Sequence, residues 1–139
     1  VKYSMDMGGV GIDFGLGYQE VSLSTTDDLD ALGLSVVANF GDFSAGINYV
    51  ESSSTVLTED GEYLGFGVGY SSNGLSVHAN YSQIDATVGL EADGYGLAVA
   101  YDLGGGASVH GGYGSSSSTQ PGFVFEDLDR WSLGLGLSF

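Results

Sequence analysis

Cysteine does not occur in this chain of 139 residues, which removes disulfide scaffolds, thiol nucleophiles and cysteine metal sites. Basic residues are nearly missing as well: Lys2 and Arg130 stand against 18 acidic residues, for a formal net charge of −16. Phosphate binding needs clustered Lys and Arg, so nucleic acid is excluded as a partner and cations are the expected company. Charged residues make up 14% of the chain, against about 25% in ordinary soluble domains. Few charges would thus have to cover much surface. There is one proline, and the 25 glycines follow no Gly-X-Y period, which excludes a collagen-like rod. No apolar run approaches the roughly 18 residues of a transmembrane helix. Nor does a basic stretch followed by an apolar one open the chain, as it would in a secretory leader.

What the chain does contain is alternation. Apolar residues recur at every second position, which predicts strands joined by turns. Nine rows can be traced: Val1 to Met7; Val10, Ile12, Phe14, Leu16 and Tyr18; Leu32 to Phe40; Phe43 to Tyr49; Leu64 to Tyr70; Leu75 to Tyr81; Tyr95 to Tyr101; Ala107 to Tyr113; and Trp131 to Phe139. A soluble β-sandwich alternates too, so the opposite face must decide. In a sandwich that face meets bulk water and is rich in Lys, Glu, Thr and Arg. Here it is mostly Gly, Ser, Ala and Asn, for example Gly65, Gly67 and Gly69 or Asn48 and Asn80. Such a face suits the lumen of a transmembrane antiparallel β-barrel, which leaves no unpaired backbone edge in lipid. The expected fold class is therefore an all-β, up-and-down membrane barrel, with residues 1–139 forming a single segment of its wall.

Connections alternate in length. Gly8-Gly9, Gly41-Asp42, Ser71 to Gly74 and Leu103 to Gly106 are tight, whereas the stretches near 22–31, 51–62, 83–93 and 115–128 read as longer loops. Short periplasmic turns and long extracellular loops are the outer-membrane pattern, and they orient every strand. Tyr18, Tyr49, Tyr81, Tyr95, Tyr113 and Trp131 then fall at extracellular strand ends, and Phe40, Phe43, Tyr70, Tyr101 and Phe139 at periplasmic ends. Two aromatic girdles are expected where amphipathic rings sit at the membrane interfaces. Bacterial barrels have even strand numbers with both termini on the periplasmic side. Nine strands beginning outside therefore imply a wall lacking strands on its N-terminal side. Reading Gly8-Gly9 as the middle of one long strand gives the alternative, a small structural or adhesin-like barrel of eight strands without a through-pore. The many lumenal glycines fill little volume and favour the wider wall.

The last segment, Trp131-Ser-Leu-Gly-Leu-Gly-Leu-Ser-Phe139, ends an alternating strand on phenylalanine and resembles the C-terminal signal of outer-membrane barrels. Upstream, Tyr101-Asp-Leu-Gly-Gly-Gly-Ala-Ser-Val109 resembles a tight hairpin of the trimeric general porins of α-proteobacteria. That resemblance implies a barrel of about 16 strands, a homotrimer in the outer membrane, and passive diffusion of small hydrophilic solutes and ions. It also implies an eyelet where an acidic loop faces an arginine cluster. This chain has one arginine, so the eyelet would lie in the missing N-terminal half, and no eyelet residue is carried over.

Candidate pore-lining residues are Asp13, Gln19, Asn39, Asn48, His78, Asn80, His110 and Arg130, with Lys2 and Asp6 if the first strand is in place; charged rings there would set ion preference. The acidic excess predicts preference for cations. His78 and His110 each lie four residues beyond a tight turn, on strands separated by one other, and are expected to face the lumen at similar depth but too far apart to share a metal. Ser76, Ser82 and Ser108 share their face, yet serines are so frequent that acyl-transfer chemistry gains no support, and no enzyme is expected. No cofactor is required. Acidic residues gather at the loops and their stems, including Asp27, Asp28, Asp30, Glu59, Glu126, Asp127 and Asp129, where Ca²⁺ or Mg²⁺ could bridge to lipopolysaccharide or between protomers.

Overall fold

The computed structural model describes residues 1–22, 28–54, 60–87, 89–123 and 125–138. They form nine strands: β1 (Lys2–Asp6), β2 (Val10–Ser22), β3 (Asp28–Phe40), β4 (Phe43–Ser54), β5 (Gly61–Ser72), β6 (Leu75–Ala86), β7 (Leu90–Gly104), β8 (Ala107–Thr119) and β9 (Leu128–Leu137). All pair antiparallel with their chain neighbours in the order β1 to β9, a single-layer meander with β1 and β9 at its two edges among the described residues. Alternating branched or aromatic residues with small polar ones favours this pleated ladder, because each backbone amide finds its partner on the next strand rather than in water.

The tight turns carry the backbone that two-residue hairpins require. Gly8 and Gly9 have φ of 65° and 95°, and Met7 N–H donates to the Val10 carbonyl at 2.9 Å. Val10 onward then pairs back along β1, with Met5 opposite Ile12 and Lys2 opposite Gly15. Gly8-Gly9 is thus a true reversal, and the reading of it as the middle of one long strand is corrected: the described residues form nine strands. At the β5–β6 turn Asn73 and Gly74 both take positive φ, 50° and 80°, matching the right-handed strand twist of an Asn-Gly hairpin.

Strands run farther at the other end than the apolar rows suggest. Residues 83–93 read as a long loop, but β6 continues to Ala86 and β7 starts at Leu90, so only a short turn remains. Glu20 to Ser22, Asp28 to Ala31, Glu51 to Ser54 and Ser115 to Thr119 are likewise laddered. Above the membrane the outward face no longer needs to be apolar, so the alternation stops while the backbone pairing does not.

Register puts Val10, Ile12, Phe14, Leu16 and Tyr18 on one face with Phe40, Val36, Leu34 and Leu32, and this apolar face continues across all nine strands. Among the described residues no apolar side chain is buried. One layer has no core, and its apolar face requires lipid instead. β9 lacks a second neighbour, so it stands open, with Trp131 81% and Leu133 75% exposed. Aromatics close both margins of the apolar face. Phe40, Phe43 and Tyr70 are cross-strand neighbours with ring centroids 5.8 and 4.9 Å apart. At the opposite margin Tyr81 pairs Tyr95, Tyr113 pairs Trp131, and the Tyr95 and Tyr113 rings lie 6.1 Å apart. Tyr18 and Tyr49 lie on the same margin, and Tyr101 with the periplasmic group; Phe139 lies outside the described residues.

Leu97 lies between these margins on the apolar face of β7, next to the opposite-facing Ala98. Leu97→Arg is expected to cost roughly 2–4 kcal/mol in reversible unfolding of the full-length protein from lipid vesicles, because the guanidinium would enter hydrocarbon near mid-depth. Ala98→Ser is expected to stay within about 0.5 kcal/mol.

Candidate pore lining

The face opposite the lipid carries all eight residues read from sequence. Asp13 stands opposite Ser4, Gln19 opposite Ala31, Asn39 opposite Gly11 and Asn48 opposite Ser35. His78 is opposite Ala98, Asn80 opposite Gly96, His110 opposite Gly134 and Arg130 opposite Gly114. Lys2, Ser4 and Asp6 continue the same face on β1. There Lys2 Nζ lies 3.7 Å from Asp13 Oδ1, which also accepts a 2.5 Å hydrogen bond from Ser4.

These polar side chains do not project freely; several lie down over glycines of the next strand. Asn48 from β4 and Tyr63 from β5 converge over Gly65, where an added Cβ would meet the Asn48 amide oxygen and lie 2.8 Å from Tyr63 Oη. Ser44 Oγ and His78 Nδ1 converge over Gly69, at 2.5 and 2.9 Å from the corresponding point, and Asn80 Oδ1 lies over Gly96 at 2.6 Å. Gly65 and Gly69 are buried for that reason, although they belong to a single layer. The result is a hollow of about 430 Å³ across β3 to β6, with Ser35, Val37, Asn48, Tyr63, His78 and Asn80 on its lining. A second, about 390 Å³, reaches from Asn80 to Arg130.

Tyr63 stands outside the alternating rows because it borders a stretch whose composition reads as loop. Its parity with Gly65 was the available signal. Aliphatic residues also face the lumen, among them Val37, Val50 and Ile84. His78 and His110 require a correction. Along β7 they oppose Ala98 and Ala100, so they differ in depth by one pleat repeat, and their backbones are roughly 12 Å apart. The reason is that β7 and β8 run past the β5–β6 turn before reversing at a bulge between Asp102 and Gly104. His110 Nε2 instead shares a 2.8 Å hydrogen bond with Ser108 Oγ.

Nine acidic residues take the other face. Glu20, Asp28, Asp30, Glu51, Glu62, Asp85, Glu91, Asp93 and Asp129 all have the parity of the lipid-facing rows and lie just beyond the outer aromatic margin. Glu20 opposes Asp30, Glu51 opposes Glu62, and Asp85 opposes Glu91, although like charges directly across a ladder repel. Girdle tyrosines donate to them: Tyr18 Oη to Asp30 at 2.7 Å and to Glu20 at 3.2 Å, and Tyr113 Oη to Asp129 at 2.9 Å. Lys2 and Arg130, by contrast, both face the lumen, against Asp6, Asp13 and Asp102. Among the described residues no three His, Asp or Glu side chains gather closely enough to hold a metal ion. Asp27 and Glu59 lie outside the described residues.

A single-layer antiparallel wall with one lipid-facing side, aromatic margins and a glycine-rich polar side defines an outer-membrane β-barrel protein. The chain belongs to the Gram-negative porin family, whose model matches residues 1–121. No curated protein matches it. Among solved structures it is similar to a porin refined at 1.8 Å, with 23% identity and a TM-score of 0.73, covering 99% of this chain and 50% of that one. It is also similar to Salmonella typhi OmpF in complex with daunomycin, with 15% identity and a TM-score of 0.76, covering 99% and 49%. A third is an anion-selective porin from Comamonas acidovorans, with 16% identity and a TM-score of 0.73, covering 99% and 48%. The chain thus spans about half the length of these structures.

The glycines differ in what they allow. Gly65→Ala must displace Asn48 and Tyr63, whereas a Cβ at Gly114, on a strand paired on both sides, meets only the Tyr95 carbonyl oxygen at an ordinary 3.6 Å. Gly65→Ala is expected to alter single-channel conductance of the full-length protein and to lower its thermal unfolding midpoint. Gly114→Ala is expected to change neither.

Proposed function

We propose that the full-length protein is a passive, non-enzymatic channel of the outer membrane, a homotrimer through which ions and small hydrophilic solutes diffuse. The observation that carries this reading is the lumenal face itself: glycine, serine, asparagine and a few charges, laid flat rather than interlocked. Small barrels fill their interiors with side chains, and wide ones leave a channel. Strands outside this sequence would complete the wall. The trimer rests on the family likeness.

Cation preference follows from the carboxylates, though not from a ring inside the pore. Both basic side chains and Asp6, Asp13 and Asp102 share the lumen, so its charge is nearly balanced there. The outward acidic belt surrounds the extracellular mouth instead and raises the local cation concentration through its potential. The same belt lies at headgroup level. Weak Ca²⁺ or Mg²⁺ binding at Asp28, Asp30, Glu126, Asp127 and Asp129, completed by lipopolysaccharide phosphates, is part of this proposal, since hard cations take oxygen ligands.

Planar-bilayer recording of the full-length protein tests the reading. Stepwise conductance is expected, with a zero-current potential of cationic sign in dilute salt. That potential should shrink towards 1 M salt, as the screening length falls from about 10 Å at 0.1 M to about 3 Å. Replacing Asp30, Glu62 and Asp129 by their amides should weaken the preference without changing conductance at high salt. Absence of conductance steps would refute the channel, and anion preference in dilute salt would refute the role of the belt.

A further inference from the structure

The hollow across β3 to β6 has a chemistry the other hollows of the wall lack. Its floor is Gly65, Gly67 and Gly69 of β5, a strip about 14 Å long, and it is bounded at one end by Asn48 with Tyr63 and at the other by Ser44 with His78, with Asn80 along one side. No Asp, Glu, Lys or Arg lines it. Its volume of about 430 Å³ falls within the ~300–1,000 Å³ of small-molecule sites. Hydroxyl, carboxamide and imidazole groups each donate and accept, and the Tyr63 ring adds an apolar plane.

From this set we infer that the trough is a weak, saturable binding site for a neutral polyhydroxylated ring, a solute of monosaccharide size. The inference rests on the channel reading and adds a solute class to it. A charged solute would shed hydration here with no opposite charge to replace it. A solute that only accepts hydrogen bonds would use half of this capacity, since the hydroxyl, carboxamide and imidazole groups also accept. Neighbouring hydroxyls on a ring match both kinds of group while the ring lies against Tyr63.

The test is single-channel recording of the full-length protein with graded glucose, against poly(ethylene glycol) of similar size, which accepts but scarcely donates. Glucose is expected to reduce ion conductance along a saturating curve, and poly(ethylene glycol) only in proportion to its concentration. Tyr63→Ala and Asn48→Ala should each raise the half-saturating glucose concentration about fivefold, as for the loss of one net contact of about 1 kcal/mol. Should Tyr63→Ala fail to insert, Tyr63→Phe, which keeps the ring, and Asn48→Ala carry the same comparison. Glucose acting in simple proportion on normally conducting channels, or saturation unmoved in both variants, overturns the site and leaves the channel standing. Channels that never open overturn both.

Discussion

A backbone in hydrocarbon has no water to bond with, so every amide must find a partner on an adjacent strand. That requirement makes the chain a continuous antiparallel ladder, and the ladder makes the side chains alternate between two solvents. The lack of a buried core is a consequence rather than a weakness. A wall one residue thick has nothing to bury against, and lipid takes the place that a second layer holds in a soluble sandwich. The open sides of β1 and β9 follow the same rule, because an edge in lipid is tolerable only when further strands pair with it.

Much of this was legible in the amino-acid sequence because the period of a strand is two. The nine rows, the tight reversals at Gly8-Gly9 and Asn73-Gly74, and the face of each polar candidate from Asp13 to Arg130 follow from parity alone. The outer strand ends were not legible. Gln83 to Ala86 and Leu90 to Asp93 lose the apolar alternation as the wall leaves the bilayer, yet they remain paired. Relative depth was also hidden, since it depends on register accumulated across several strands. Counting from the turns puts His78 and His110 level, and the bulge below β7 and β8 does not.

Glycine carries two meanings in this wall. In the turns it supplies backbone angles. In β5 and β7 it supplies room, so that Asn48, Tyr63, His78 and Asn80 lie along the barrel surface instead of across its bore. A polar side chain that lies flat keeps hydrogen-bonding capacity at the wall without narrowing the passage. Composition alone shows only that glycine is abundant. Its separation into these roles required the register.

The carboxylates beyond the outer aromatic margin share a strand with the pore lining but point the opposite way. Odd and even positions of one strand therefore meet different surroundings, the lumen on one side and the outer leaflet on the other. Substitution at Glu51 or Asp93 can retune how the protein sits among its lipid neighbours while the adjoining lumenal positions are untouched. The reverse holds for Asn48 and Asn80. Alternate letters of the same nine strands thus write two different surfaces onto a single backbone.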